Sequence, residues 1–499
     1  MKKLLFISLH FLIMCSAEHT ADSDTSHSVI KPYTENPHFL AWDGVPIFPL
    51  GPTGYHAWTP ITRPATVDFI AQMNRMNQII EEIGSPHIRG FMRFLPYDPL
   101  NHLHDGSVER FLQPWVQLED ERYDLSKFEP EWEERMIEYL DAALSREIVV
   151  SMEVWDDWSV TRGVGGSWDP GEGAAWNGHP FNPNNNINFD ETKLPSVTTE
   201  CDAPFYRTIP SHSNIESVLE LQKLYVDKIL QISSDYPNVL INISNESRAT
   251  MEWSRYWAEY VRERVPEGVM IGDMPSTNRQ DGGGECEHAF SPATLVTDSL
   301  YDFVDVAQGV SRHEFGSPRE QALGGGLRMY EYRRAMTESV GPRPLIVSKD
   351  YTRGDEGGDI VLWSRFMGGA AAARFHRPGM EHGDALIDFQ HDAVHRLGYF
   401  LAEIPFWNMY PAHDILQKYD DTIGANVMAE PEGHVVVQLL DVRRRQRLAL
   451  DVNTREWTVR WIDPSSGHEL ERQSLISETP MLELDIPVDK EHLILHLQP

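Results

Sequence analysis

The sequence predicts an α/β fold, a (β/α)8 TIM barrel followed by a small C-terminal antiparallel β-sandwich. From about Pro46 to Pro411, short apolar strands alternate with amphipathic helices, which is typical of βα units around a parallel sheet. After Pro411 the apolar runs are short and alternating, and turn residues separate them. With 499 residues, of which 41% are hydrophobic, the chain can bury one large core and one smaller core.

Eight strand candidates follow one another in the first part of the chain. They lie at residues 46–50, 88–94, 148–152, 239–243, 269–271, 303–306, 344–347 and 372–375. Helices are predicted at 67–83, 132–144, 215–232, 360–370 and 386–404, where apolar residues recur at helical spacing. We assign 36–411 to the barrel and 412–499 to the sandwich, with sandwich strands predicted at 435–440, 448–452, 457–461 and 493–497.

Residues 1–17 predict an export signal. Two lysines precede an apolar run at 4–14, which is too short to be a permanent membrane span. The run ends at Cys15 in a sequence that resembles a bacterial lipobox, so acylation of Cys15 is one expectation and cleavage after Ala17 without lipidation is the other. The polar residues 18–35 are assigned to a linker. We expect an exported protein, either periplasmic, secreted or an outer-surface lipoprotein whose membrane contact is the lipid.

The net charge argues against one class of partner, and the cysteine count argues against a disulfide scaffold. A formal net charge of -33 argues against nucleic acid, because binding phosphates needs clustered Lys and Arg. Cys201 and Cys286 are too few for a disulfide scaffold; they can pair in an oxidising compartment, but the sequence leaves this open. No spacing typical of a zinc site or a calcium loop is present, and no cofactor is implied.

Polar and aromatic side chains follow the predicted strands, and in a barrel such positions meet at one rim. Glycosidic cleavage needs a carboxylic acid to protonate the leaving oxygen and a carboxylate to attack or to activate water, while Trp rings stack on sugars. The rim therefore indicates carbohydrate chemistry. The candidate site residues are His56, Trp58, Arg93, Trp155, Asp156, Asp157, Asn245, Glu246, Lys349, Asp350, Arg374 and His376.

The pair Asn245-Glu246 at the end of strand four resembles the acid/base signature of the large clan of retaining (β/α)8 glycoside hydrolases. Arg93 at the end of strand two is also similar to that clan. The sequence WIDPSSG at 461–467 resembles the C-terminal sandwich of apiosidase-like barrel hydrolases, which is sometimes labelled "putative collagen-binding". The resemblance implies that Glu246 is the general acid/base and that Asn245 binds the sugar hydroxyl beside the cleaved bond.

The chain departs from this clan at strand seven. The clan carries its nucleophilic Glu there, whereas this chain has Lys349 followed by Asp350. Asp350 is one candidate for the second carboxylate, and Asp355 and Glu356 in the next loop are others. An inverting reaction with Asp156 or Asp157 as the base is the alternative, and the separation of the carboxyl groups distinguishes the two mechanisms.

The predicted rim also carries five cations, namely Arg93, Lys349, Arg374, His376 and Arg377. One hypothesis is that they bind a uronate carboxylate or a sulfate on the substrate, because Arg pairs with such groups in a bidentate manner. Internal ion pairing is the other.

Two further segments of the chain contain tryptophan residues. The long segment 158–212, with Trp168 and Trp176, is expected to be an ordered wall that contacts sugar. Trp457 and Trp461 are expected in the sandwich core, because an even spacing places both on one face of a strand.

The sequence thus predicts an exported glycoside hydrolase that acts on plant or algal polysaccharide fragments. One alternative is a non-catalytic carbohydrate-binding protein on a degenerate barrel, because the strand-seven Glu is missing. Another is a lyase for uronic acids that uses Lys349, His376 or Tyr351 as the base.

Overall fold

The computed structural model contains the two predicted domains. It describes residues 29–52, 61, 69–97, 112–164, 175–199, 201–276, 286, 289–310, 317–350, 358–376, 388–418 and 422–499. Within these residues a parallel barrel with outer helices is followed by antiparallel sheets, which confirms the predicted fold class.

The barrel strands lie where the sequence predicts them. They are β1 (Val45–Gly51), β2 (Ile88–Phe94), β3 (Val149–Asp156), β4 (Val239–Asn245), β5 (Ile271–Gly272), β6 (Val304–Asp305), β7 (Leu345–Asp350) and β8 (Ala372–Phe375). Parallel pairing runs in the order β6-β7-β8-β1-β2-β3-β4-β5. The backbone N–H of Asp305 donates to the carbonyl oxygen of Asp273 (3.1 Å) and joins β5 to β6. The C-terminal ends of the strands therefore surround one mouth.

The helices cover the outside of the barrel. In the described residues they are α1 (Phe69–Ile83), α2 (Pro130–Leu144), α3 (Asp157–Thr161), α4 (Glu216–Ser233), α5 (Met251–Arg262), α6 (Pro292–Leu295), α7 (Ala307–Val310), α8 (Pro318–Val340), α9 (Gly358–Met367) and α10 (Asp388–Ala402). On α1, the buried residues recur every three or four positions, as the amphipathic pattern predicts.

The sequence analysis missed the longest of these helices, α8. Three successive glycines at 324–326 weaken its helical signal, since Gly disfavours helix interiors. A capping box between Ser317 and Glu320 fixes its start. The glycines permit close packing, because a Cβ atom on Gly326 would lie 2.8 Å from the Asn426 side-chain oxygen of the sandwich.

The C-terminal domain contains a six-stranded and a three-stranded antiparallel sheet. Its strands are Tyr410–Pro411, Leu416–Lys418, Gly424–Ala429, Val435–Val442, Arg447–Asp451, Glu456–Asp463, His468–Ile476, Met481–Asp485 and Lys490–Gln498. Trp457 and Trp461 are buried in its core, as predicted. The strand Tyr410–Pro411 pairs with Gly424–Ala429, so the sandwich begins slightly before the predicted boundary at 412.

The sandwich packs directly on the barrel. Met428, Val436 and Ile494 belong to the same buried cluster as Phe366 of α9. The side-chain amide of Gln438 donates to the carbonyl oxygen of Ile360 on the same helix (2.9 Å). The two domains therefore share one apolar core at their junction.

The predicted linker 18–35 is wrong at its C-terminal end. Residues Ile30–Pro32 pair with Leu40–Trp42, which in turn pair with β1. Ile30 is buried with Phe91 in the apolar core of the barrel, so this segment belongs to the folded domain. Residues 1–28, with the predicted export signal and Cys15, lie outside the described residues. In the part that is described, none of the helices combines the length and the apolar character that a membrane span needs.

Candidate active site

Glu246 follows β4 directly at the mouth of the barrel. Its φ angle of 48° lies in the left-handed region, which is uncommon for a residue with a side chain and is often found at functional sites. The next residue is fixed from both sides, because Ser247 donates its N–H to the carbonyl oxygen of Met274 (3.1 Å) and accepts the N–H of Ser276 (2.9 Å). The turn thus holds the Glu246 carboxylate in one position.

Two side chains from other elements bind this carboxylate, Trp158 from α3 and Lys349 from β7. The indole N–H of Trp158 donates to Oε2 of Glu246 (2.5 Å), and the ammonium group of Lys349 contacts Oε1. The guanidinium of Arg248 lies 5.0 Å from the centre of the Trp158 ring. Both carboxylate oxygens therefore have a hydrogen-bond donor, which favours the ionised form.

Lys349 reaches this position because β7 contains an irregularity. The pairing between β7 and β8 shifts register between Val347 and Asp350, as in a β-bulge. A bulge changes the face on which the following side chains lie. Lys349 consequently points into the mouth, where burial and the charge of Arg93 lower its pKa, while Glu246 opposes that change.

Asn245 and Asp156 extend the cluster towards β3. The side-chain amide of Asn245 donates to Asp156 and its oxygen accepts a hydrogen bond from Lys349. The other oxygen of Asp156 accepts the backbone N–H of Ser159 (2.9 Å), so Asp156 is also the N-cap of α3. A continuous polar chain therefore joins Asp156 to Glu246.

The predicted cations Arg93 and Lys349 are paired within the protein. Arg93 makes a bidentate ion pair with Glu153, and both side chains are buried. The fields of Glu153, Glu246 and Asp156 raise the pKa of Arg93 against the effect of its burial. A buried charge needs a partner of opposite charge, and each of these ion pairs provides one.

The structure contradicts the prediction that Asp350 reaches the mouth. Asp350 is fully buried and makes a bidentate ion pair with Arg365 of α9, with distances of 2.9–3.2 Å. It therefore lies on the outer, helix-facing side of β7, because adjacent side chains of a strand point to opposite faces and Lys349 occupies the side of the mouth.

Asp157 and Trp155 were also expected at the rim, and both side chains are buried. Asp157 pairs with Arg248 and accepts the hydroxyl of Thr161 (2.9 Å). Trp155 lies among aromatic rings of the outer helices, 5.1 Å from Tyr225. The prediction that Trp155 stacks on sugar is therefore wrong.

Arg374 and His376 lie at the end of β8, and both are buried. Arg374 donates to the carbonyl oxygen of Ser348 (2.7 Å), and burial lowers its pKa to about 9. Its aliphatic part passes over Gly51, where a Cβ atom would be 2.9 Å from Cγ of Arg374. His56, Trp58, Trp168, Tyr351, Asp355, Glu356 and Arg377 lie outside the described residues.

The fold is shared with solved structures of glycoside hydrolases. A glycoside hydrolase family 5 protein from Bacteroides vulgatus ATCC 8482 matches with a TM-score of 0.61 at 11% identity, over 94% of this chain and 92% of that one. A protein described as a glycoside hydrolase matches with a TM-score of 0.58 at 10% identity, over 95% and 97%. This chain has their fold. Neither a family model nor a curated protein matches the sequence.

The barrel also contains buried polar residues outside the candidate set. Asn242 on β4 is fully buried, and no hydrogen-bond partner for its amide lies among the described residues. Burial raises the pKa of Asp273 to about 7 and that of Asp305 to about 6. In the sequence, a polar residue inside an otherwise apolar strand could have indicated such positions, because buried polar groups need a hydrogen-bond partner or a water molecule.

In the described parts of segment 158–212, Trp176 does not form part of a sugar-contacting wall. It is buried with its ring stacked on His179 at 5.1 Å. The segment is also cross-linked, because Cys201 forms a disulfide with Cys286. The structure thereby decides a pairing that the sequence left open.

Proposed function

We propose that this protein is an exported glycoside hydrolase with Glu246 as the general acid/base. The observation that carries the proposal is the Glu246 carboxylate at the end of β4, held in the mouth by Trp158 and Lys349 and followed by a fixed turn. A general acid needs a defined position beside the bond that it cleaves, and this geometry provides one. The shared fold supports carbohydrate as the substrate class.

Asp156 is the proposed second carboxylate. Asp156 is linked to the Glu246 cluster through Asn245, and Asp350 is held by Arg365 on the outer side of β7. A carboxylate oxygen accepts more than one hydrogen bond, so Asp156 has the chemistry to accept a proton from water. We infer an inverting reaction in which Glu246 protonates the leaving oxygen and Asp156 activates the water.

The proposed substrates are plant or algal polysaccharide fragments with a neutral sugar beside Glu246. Two of the cations that suggested a uronate or sulfate are neutralised by Glu153 and Glu246. An anionic group on that sugar would have to compete with these carboxylates. Uronate-containing oligosaccharides are therefore expected to be poorer substrates than neutral ones.

A carbohydrate-binding protein without turnover is the second candidate. Lys349 favours it, because an ammonium group occupies the end of β7 and contacts the carboxylate of Glu246. A carboxylate beside a cation is less often protonated at a given pH and is therefore a poorer proton donor, since the cation stabilises its ionised form. Binding without products in every assay would select this alternative.

The disulfide supports the proposed export. Disulfides persist mainly in oxidising compartments outside the cytosol, and Cys201–Cys286 joins two segments that are 85 residues apart. We propose that the mature protein is periplasmic, secreted or attached to the outer surface through a lipid at Cys15. Mass spectrometry of the mature N-terminus distinguishes an acylated Cys15 from cleavage after Ala17.

The deciding experiment is a screen of the mature protein on neutral and uronate-containing plant and algal polysaccharides. Reducing ends report hydrolysis, unsaturated products report a lyase, and NMR of the fresh product reports its anomeric configuration. We expect hydrolysis with inversion that Glu246→Gln and Asp156→Asn each reduce by about 10²–10⁴-fold. Glu263→Gln, on the exposed surface of the barrel, is the matched control. Retention of configuration would contradict the role of Asp156 as the base of an inverting reaction. Full activity of Glu246→Gln would contradict the assignment of Glu246 as the general acid and with it the proposed mechanism.

A further inference from the structure

A cleft lies between α10 and the C-terminal sandwich, away from the barrel mouth. Its volume is about 210 Å³, and the strand Glu456–Asp463 with its following turn forms one wall. Gly398 on α10 packs against Ile88, the first residue of β2, so this part of α10 is level with the N-terminal ends of the strands. The cleft is therefore on the outer side of α10, outside the barrel wall, and is not part of the candidate active site.

One wall of the cleft is an exposed aromatic surface. Tyr399 is 54% exposed, which is unusual for a large aromatic side chain, and it lines the cleft together with His395. These two rings are one helical turn apart and nearly parallel, with an angle of 22° between their planes. Beneath them Trp363 and Phe400 form a buried apolar floor with ring centres 4.9 Å apart.

The remaining lining supplies hydrogen-bonding groups with balanced charge. Arg460 pairs with Glu403 at 3.0 Å and with Glu469 at 2.7 Å, and Arg396 has Asp392 at 3.8 Å. The cations therefore have carboxylate partners. This balance favours a neutral ligand with many hydroxyl groups over an anionic one.

Two residues that line the cleft also have N–H groups that a ligand could satisfy. Trp363 is 2% exposed, and among the described residues no acceptor lies within hydrogen-bonding distance of its indole N–H. The Nε atom of Arg396, which lines the same cleft, is buried and likewise has no acceptor there. Buried N–H groups normally have partners, and a hydroxyl group in the cleft would provide one.

We propose that this cleft binds a neutral sugar of the polysaccharide on which the active site acts, with its ring stacked on Tyr399. The identity of the sugar rests on the proposed function, whereas the binding itself does not. Such a site holds the polymer on the enzyme and raises the local substrate concentration at the mouth. It is expected to improve turnover of long polymers and to leave short soluble substrates unaffected.

The test is affinity electrophoresis of the full mature protein in gels that contain glucomannan, xylan, xyloglucan or laminarin. We expect at least one polymer to retard the wild type and Tyr399→Ala to weaken that retardation at least tenfold. Trp363→Phe keeps an aromatic ring in the floor of the cleft but removes the indole N–H, and it should also weaken the retardation. Tyr410→Ala, which removes a 43% exposed aromatic elsewhere, is the control and should be retarded like the wild type.

Failure of this site is distinguishable from failure of the proposed function. Retardation that depends on Tyr399 and persists in Glu246→Gln supports the cleft even if no turnover is found. The proposal that the cleft binds sugar is overturned if the enzyme turns over a substrate and Tyr399→Ala leaves the retardation unchanged. It is also overturned if none of the four polymers retards the wild type. A lower activity of Tyr399→Ala on short soluble oligosaccharides would also contradict a site remote from the mouth.

Discussion

The ammonium group of Lys349 and the carboxylate of Glu246 lie in direct contact across the mouth of the barrel, although 103 residues separate them in the sequence. This contact joins the end of β7 to the end of β4. It places a cation beside the proposed acid where the resemblance to retaining barrel hydrolases implies a nucleophilic Glu. The contact therefore determines how the proposed acid titrates.

Lys349→Met should shift the alkaline limb of the pH–rate profile to higher pH by about 1–3 units. The cation favours the ionised carboxylate, so its removal raises the pKa of Glu246 and keeps the acid protonated at higher pH. The measurement is kcat/KM against pH on the best substrate. Lys193→Met, at an exposed position, is the control. An unchanged profile would show that Lys349 is neutral in the working enzyme, which is the direction in which burial moves its pKa.

Trp158→Phe should lower kcat about tenfold with little change in KM. The substitution keeps an aromatic ring against Arg248 and removes the N–H that donates to Glu246, so the carboxylate loses one of its two described donors. Steady-state kinetics on a short oligosaccharide measures both constants. Trp407→Phe, remote from the mouth, should behave like the wild type. A large rise in KM with normal kcat would instead indicate that Trp158 binds substrate.

Asp273 should make the protein less stable as the pH rises from about 4 to 7. Its pKa is about 7 in the folded protein and about 3.9 in an unfolded chain, so the folded state binds more protons throughout this interval. The contribution of Asp273 to the free energy of unfolding therefore falls as the pH increases. Urea unfolding of wild type and Asp273→Asn at several pH values should show a flatter dependence in the variant. The exposed control Asp451→Asn should keep the wild-type slope, and equal slopes in all three proteins would contradict the prediction.

Loss of the disulfide should reduce the free energy of unfolding by about 2–5 kcal/mol. The bond closes a loop of 85 residues and so restricts the unfolded chain. Denaturant unfolding of wild type and of the double variant Cys201→Ser, Cys286→Ser measures the difference. Reductant should weaken the wild type and leave the double variant unchanged. Equal stability of the oxidised wild type and the double variant would contradict the prediction.

The barrel and the sandwich should unfold together in one transition. Phe366 lies in a buried cluster that contains residues of both domains, so Phe366→Ala should cost about 3–5 kcal/mol. Leu495→Ala, inside the sandwich core, should lower the same transition by about 2–5 kcal/mol. Scanning calorimetry measures both variants. Two separate transitions, with each variant affecting only one, would show that the domains are independent.

The sequence by itself determined the order of the barrel strands and the place of the Asn245-Glu246 pair. The pattern predicts β2 and β8 at their observed bounds, because burial on both faces produces compact apolar runs. It also places Trp457 and Trp461 in the core through their spacing. These features depend on neighbours along the chain, so local patterns reveal them.

Only the tertiary structure decided which side chains reach the mouth. The register shift between Val347 and Asp350 turns Lys349 inward and Asp350 towards Arg365, although regular alternation leaves this choice open. The contacts of Lys349 with Glu246 and of Asp350 with Arg365 select the arrangement in which Lys349 points into the mouth. The alternation of side chains along a strand follows from the local sequence, whereas a bulge is stabilised by partners elsewhere in the fold. A shift of one residue reverses the face that each following side chain occupies.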